Sequence, residues 1–200
     1  MIKIGLTGPT GAGKSTVAAA LAAAGLPLID ADKEARAVTA AGSPVLEKIA
    51  AVFGAQMLLP DGTLNRPALA AAAFSSAENT KKLNALTHPA VLERVQAALD
   101  TAAAAGARAA VMDVPLLFES GWDRLCDHTV AVVAREDVRL ARICARDRLS
   151  EPAARQRIAA QPPIAFYTAR AEVILHNDTT REALDEQIAA LLCEIGRWCA

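Results

Sequence analysis

Gly8-Pro9-Thr10-Gly11-Ala12-Gly13-Lys14-Ser15 matches G-x-x-x-x-G-K-[ST] at every fixed position. The run sits between an apolar segment, Ile2-Lys3-Ile4-Gly5-Leu6-Thr7, and an Ala-rich stretch from Lys14 to Ala24 that holds Val17 and Leu21 four apart and is closed by Gly25. That order predicts a buried strand, a tight glycine loop and a helix. Glycines let a backbone take left-handed conformations and come close to a phosphate without Cβ collisions. Successive N–H groups then line an anion-binding concavity, and the helix that follows directs the positive end of its dipole to the same place. Lys14 supplies a mobile charge for the β- and γ-phosphates of a nucleoside triphosphate, and the Ser15 hydroxyl is placed to ligate Mg²⁺.

Further short apolar runs are predicted as strands at Leu26 to Ile29, Ala109 to Asp113, Thr129 to Val133 and Val173 to Leu175. Continuously apolar strands separated by helical stretches indicate a parallel sheet covered on both faces. The expected fold is therefore α/β of the P-loop NTPase type, with five parallel strands sandwiched by helices. The interval from Asp30 to Ala109 is far longer than one crossover needs. It carries helical patterns around 33–53, 67–74, 78–86 and 89–105, broken at Gly42-Ser43-Pro44, Asp61-Gly62 and His88-Pro89. An Arg-rich insertion follows the fourth strand and is ended by Pro162-Pro163. We expect a nucleotide-binding core (1–34, 108–134 and 171–200), a helical acceptor-binding insertion (35–107) and a lid (135–170).

Composition excludes several alternatives. A net charge of −1 gives no simple case for bulk nucleic-acid binding. No apolar run approaches the ~20 residues needed to span a bilayer. The opening Met1-Ile2-Lys3-Ile4-Gly5 lacks a basic leader and a cleavage site, so a cytoplasmic location without membrane attachment is expected. Cys126, Cys144, Cys193 and Cys199 have neither CxxC spacing nor a His partner at zinc-finger distance, and read as reduced packing thiols.

The loop is shared by kinases, GTPases and motor ATPases. An Asn-Lys-x-Asp run for guanine and a Ser-Gly-Gly run for transporter-type ATPases are both missing. Two insertions suit a small-molecule kinase, which must shield the γ-phosphoryl from water. Asp30 and Asp32 follow the second strand, and ligands in such folds sit at the carboxyl ends of strands. Two carboxylates two apart on an extended chain point the same way, so one could deprotonate an acceptor hydroxyl; either could equally cap the next helix. Asp113 closes the third strand and suits a Mg²⁺-holding carboxylate, or a plain turn residue before Pro115. Residues 135–157 hold seven arginines. Arg135, Arg139, Arg142 and Arg146 share one helix face by spacing, suited to phosphoryl oxygens or to a solvated surface. His88 before Pro89 reads as a substrate contact or a helix-start residue.

Several blocks together resemble the dephospho-CoA kinase family. They are Thr7-Gly8-x-x-Gly11-x-Gly13-Lys14-Ser15-Thr16, Ile29-Asp30-Ala31-Asp32, Asp61-Gly62-x-Leu64-x-Arg66-x-x-Leu69, Leu83-Asn84-x-Leu86-x-His88-Pro89, Asp113-Val114-Pro115-Leu116-Leu117-Phe118-Glu119 and Arg157-Ile158-x-Ala160-Gln161-x-Pro163. The resemblance runs in order over nearly the whole chain. It implies transfer of the ATP γ-phosphoryl to the ribose 3′-hydroxyl of dephospho-CoA, with Mg²⁺ as cofactor. By matched position it implies ATP contacts from Gly8, Gly11, Ala12, Gly13, Lys14, Ser15, Thr16 and Asn177, and metal contacts from Ser15 and Asp113. Asp32 takes the general-base role beside Lys14, Arg142 and Arg146 as catalytic residues. Asp32, Arg66, His88, Pro89 and Leu116 fall in the acceptor-binding region. Another small-molecule or nucleoside monophosphate kinase is the alternative, and a nucleotide-dependent switch protein is a third reading. The chain departs from the family pattern at Pro162-Pro163 and the uncharged run after it, and at Ala171-Glu172-Val173-Ile174-Leu175-His176-Asn177.

Overall fold

A computed structural model describes all 200 residues. Five strands form one sheet: β1 (Ile2–Thr7), β2 (Leu28–Asp30), β3 (Ala109–Asp113), β4 (His128–Val133) and β5 (Val173–His176), in the order β2-β3-β1-β4-β5. β1 pairs in parallel with β3 and β4, and β4 with β5. Ile4, Leu6, Val111, Val130 and Val132 are fully buried, as strands covered on both faces require. Helix α1 (Lys14–Ala23) packs Val17 and Leu21 into this core, which the C-terminal helix closes with Leu184, Ile188, Leu191 and Ile195.

The second strand begins later than the apolar pattern predicts. Gly25, at φ +91°, reverses the chain, and the Leu26 N–H returns to the Leu21 carbonyl at 3.2 Å. Leu26 thus belongs to the C-terminal turn of α1 rather than to the sheet.

The chain divides into two compact units, one formed by Met1–Ile29 with Ala102–Ala200 and the other by Asp30–Thr101. The second unit holds α2 (Ala31–Val38), α3 (Pro44–Phe53), α4 (Arg66–Ala73) and most of α5 (Ala77–Ala104). Side-chain caps start three of these helices: Asp30, Ser43 and Asn65 accept from the N–H groups of Lys33, Leu46 and Ala68. The break expected at His88-Pro89 is absent, because α5 runs through Pro89 without interruption. A proline there forfeits one backbone bond. Burial of Val91, Val95 and Leu99 along the following turns offsets that loss.

In the first unit, α6 (Glu136–Asp147), α7 (Glu151–Ala159) and α8 (Ile164–Thr168) fill the segment between β4 and β5, before α9 (Arg181–Trp198). Pro163 does not merely end a helix; it stands at the N-cap of α8, where its missing N–H costs nothing. Ile143, Ala154 and Ile158 join α6 to α7, and Tyr167 of α8 is buried with Ala131 and Val133 of β4.

Candidate active site

The glycine loop leaves β1 at Thr7 and enters α1 at Lys14. Gly8, Gly11 and Gly13 take φ of +150°, +79° and +99°. Any side chain at these positions would meet backbone or a fixed neighbour: a Cβ on Gly11 would stand 2.9 Å from the Arg139 carbonyl oxygen. Two loop amides bond within the protein, Ala12 N–H to Pro9 O at 3.1 Å and Thr10 N–H to the Gln161 Oε1 at 2.8 Å. Those of Gly11, Gly13, Lys14 and Ser15 have no protein acceptor, which leaves four donors at a helix N-terminus for an anion.

The carbonyls behind those amides are held from outside the loop. Arg139 Nε donates to Thr10 O at 2.8 Å, Arg142 lies 3.5 Å from Gly11 O, and Asn177 Nδ2 donates to Ala12 O at 2.8 Å. Arg142 also donates to Asn177 Oδ1 at 3.1 Å. Asn177 is buried just past β5, and its backbone N–H bonds to Val133 O. The Lys14 ammonium pairs with the Asp113 carboxylate at the end of β3.

The four arginines predicted to share a face do so by angle but not by environment. From Arg135 to Arg146 the helix axis advances ~16 Å, so only the middle pair reaches the loop. Arg139 is 3% exposed and Arg142 half-buried, whereas Arg135 and Arg146 are exposed. Arg146 forms a two-point contact with Asp147, at 2.7 and 2.8 Å, and Arg157 meets the same carboxylate at 2.7 Å. The Arg146 hydrogen bond chiefly holds the Asp147 carboxyl below its ordinary range.

In the helical unit, Asp30 and Asp32 do not point the same way from an extended chain, because α2 begins between them. Asp30 is the N-cap, accepting from Lys33 N–H at 3.0 Å. Asp32 lies in the first turn, exposed, where it lines a cleft of about 350 Å³ with Arg36, Thr39, Arg66 and Thr87 over Leu64, Leu69 and Leu83. Arg66 reaches the Thr39 hydroxyl at 3.5 Å. His88 is half-buried in α5, and its burial pushes the imidazole pKa down. Pro89 is exposed on the same helix. Leu116, in the other unit, is 54% exposed, while its neighbour Leu117 is fully buried.

The sequence assigns no site role to Gln161 or Arg36, and it marks Arg139 only as one of four arginines suited to phosphoryl oxygens or to a solvated surface. The three-residue step from Arg139 to Arg142 and the four-residue step from Asp32 to Arg36 carried the signal for two of them. Gln161 lies in the Arg157–Pro163 stretch that resembles the family, but nothing in its spacing links it to Thr10. None of the cysteines is in a disulfide, and Cys126 is pushed up to about 12, chiefly by burial. No helix is long and apolar enough to cross a membrane.

The family model for dephospho-CoA kinase matches residues 2–183. A dephospho-CoA kinase of Corynebacterium efficiens is 45% identical over 195 residues, 98% of each chain. A crystal structure from Thermus thermophilus aligns at a TM-score of 0.84 with 35% identity, over 96% of this chain and 97% of the other. The dephospho-CoA kinase of Campylobacter jejuni aligns at 0.73 with 26% identity, over 99% and 98%.

Proposed function

Because the chain belongs to the dephospho-CoA kinase family, we propose that it transfers the γ-phosphoryl group of ATP to the ribose 3′-hydroxyl of dephospho-CoA, the last step of coenzyme A synthesis. The observation that carries this reading is the loop at Gly8–Ser15. Four amides without a protein acceptor and the Lys14 side chain lie together in this loop at the start of α1, the donor set a polyphosphate requires.

In this reading the loop amides and Lys14 hold the β- and γ-phosphates and neutralise charge as it moves toward the leaving oxygen. Asp32 accepts the proton of the 3′-hydroxyl as that oxygen bonds to the γ-phosphorus; the bond from phosphorus to the β,γ-bridging oxygen breaks, and ADP leaves. Arg66 and Arg36, above the leucine floor of the Asp32 cleft, suit a phosphorylated acceptor with an apolar arm. His88, Pro89 and Leu116 belong to the same acceptor role by matched position. Arg142 supplies charge beside the loop. Arg146 must exchange its Asp147 contact to do so.

Mg²⁺ fits the donor set. The Ser15 hydroxyl and the Asp113 carboxylate are hard oxygens, and no cluster of three His, Cys, Asp or Glu side chains offers an all-protein cage. An ion shared with nucleotide oxygens and water suits such a site. When bound, Mg²⁺ offsets phosphate charge.

The test is incubation of purified protein with ATP, Mg²⁺ and dephospho-CoA. ADP and CoA forming in equal amounts are expected. ATP turnover indifferent to dephospho-CoA points instead to a nucleotide switch, and faster turnover of another alcohol points to a different small-molecule kinase.

A further inference from the structure

Arg139 is a cation to which the phosphoryl transfer assigns no role. It is 3% exposed on α6, with no carboxylate at ion-pair distance. Its Nε–H donates to Thr10 O at 2.8 Å. A second, weaker contact of 3.5 Å runs from its Nη2 to Gln161 Oε1, and the same oxygen accepts the Thr10 N–H at 2.8 Å. Both peptide planes that meet at Thr10 are therefore gripped from outside the loop. In a trans peptide the C=O and the next N–H point in opposite directions. Drawing the Thr10 carbonyl toward α6 thus turns the Gly11 N–H away from α6, where it has no protein acceptor, while Gln161 engages the Thr10 N–H.

Packing alone gives no reason for a guanidinium here. A buried cation on neutral acceptors loses hydration, and burial lowers the Arg139 pKa accordingly. An apolar side chain of similar length would fill the space without that loss. We propose that Arg139 and Gln161 are a positioning pair that presets the Gly11 amide for the phosphates of ATP. The inference rests on the kinase reading only for its ATP half.

Calorimetric titration with a non-hydrolysable ATP analogue, together with steady-state kinetics, tests it in three variants. Arg139→Met keeps the stem and removes the donors. Arg139→Gln keeps an N–H that can reach Thr10 O without the charge. Gln161→Met removes the acceptor from a half-exposed site where folding is least at risk. Arg139→Met is expected to weaken analogue binding and raise the KM for ATP about tenfold, with the KM for dephospho-CoA unchanged. Gln161→Met should follow in the same direction, and Arg139→Gln should recover most of the loss. Unchanged ATP affinity in Gln161→Met and Arg139→Met overturns the proposal. So does an Arg139→Gln variant as weak as Arg139→Met, since charge rather than geometry would then matter. If Arg139→Met fails to fold, the other two variants decide. Loss of analogue binding in a protein that makes no CoA supports the pair and refutes the acceptor; normal binding in variants of a CoA-forming enzyme does the reverse.

Discussion

The side-chain amide of Asn177 donates to the Ala12 carbonyl at 2.8 Å, and its nitrogen occupies the space that a Cβ on Gly13 would need. The glycine loop is therefore shaped by its neighbour across the sheet as well as by its own residues.

Gly13→Ala meets two obstacles at once, a φ of +99° and the Asn177 amide. We expect it to destabilise the protein by roughly 1–3 kcal/mol and to abolish tight ATP-analogue binding. Asn177→Ala keeps the loop's φ values but leaves the Ala12 carbonyl without its side-chain donor, an expected loss of roughly 1–3 kcal/mol. Chemical denaturation measures both, and an unchanged midpoint in either variant contradicts the arrangement.

Lys14 pairs with Asp113 at the mouth of the loop. Lys14→Met should lower kcat/KM for ATP by about 10²–10³-fold, because one charge serves both binding and the transition state. Asp113→Asn should raise the Mg²⁺ concentration needed for half-maximal rate. A magnesium titration unaltered by that change argues against Asp113 as a metal contact.

Asp32 stands in the first turn of α2, in a cleft with Arg36 and Arg66. Asp32→Asn should reduce kcat by about 10²–10⁴-fold with ATP affinity nearly intact, since a general base acts on the acceptor. Equal losses of ATP binding and turnover contradict that role.

Burial depresses the His88 pKa from its ordinary 6.5. Between the depressed value and ~6.5 the unfolded chain binds more protons than the folded one, so stability rises with pH across that window. Acidification below ~6.5 should lower the unfolding midpoint, and His88→Asn should flatten part of that slope. Next to it, Pro89→Ala restores the backbone bond that the ring denies to residue 85, and should stabilise α5 by about 1 kcal/mol or more. A rise in the KM for dephospho-CoA in the same variant would show that the proline shapes the acceptor region.

The predicted strands coincide closely with four of the five observed, because an apolar run bounded by Gly, Pro or Asp leaves few other options. Helices α2, α3 and α4 were legible from their Ala-rich and apolar patterns and from the breakers Gly42-Ser43-Pro44 and Asp61-Gly62. Leu26 looked like strand and Pro89 like a stop, but a left-handed Gly25 and a long buried helix face outweighed the propensity of single residues. Asp30 and Asp32 were separated by the same logic, once the Asp30 cap started α2 between them.

The glycine loop and its lysine are written in eight consecutive residues, since local backbone sterics and a single helix start suffice to specify an anion cradle. The outer grip on that cradle is not written locally. Arg139, Gln161 and Asn177 lie 129 to 165 positions from the carbonyls and amides they hold. They reach them only because β4 and β5 pair beside β1 and α6 returns across the loop. Contacts at such separation depend on strand order and burial, which no short run of sequence encodes.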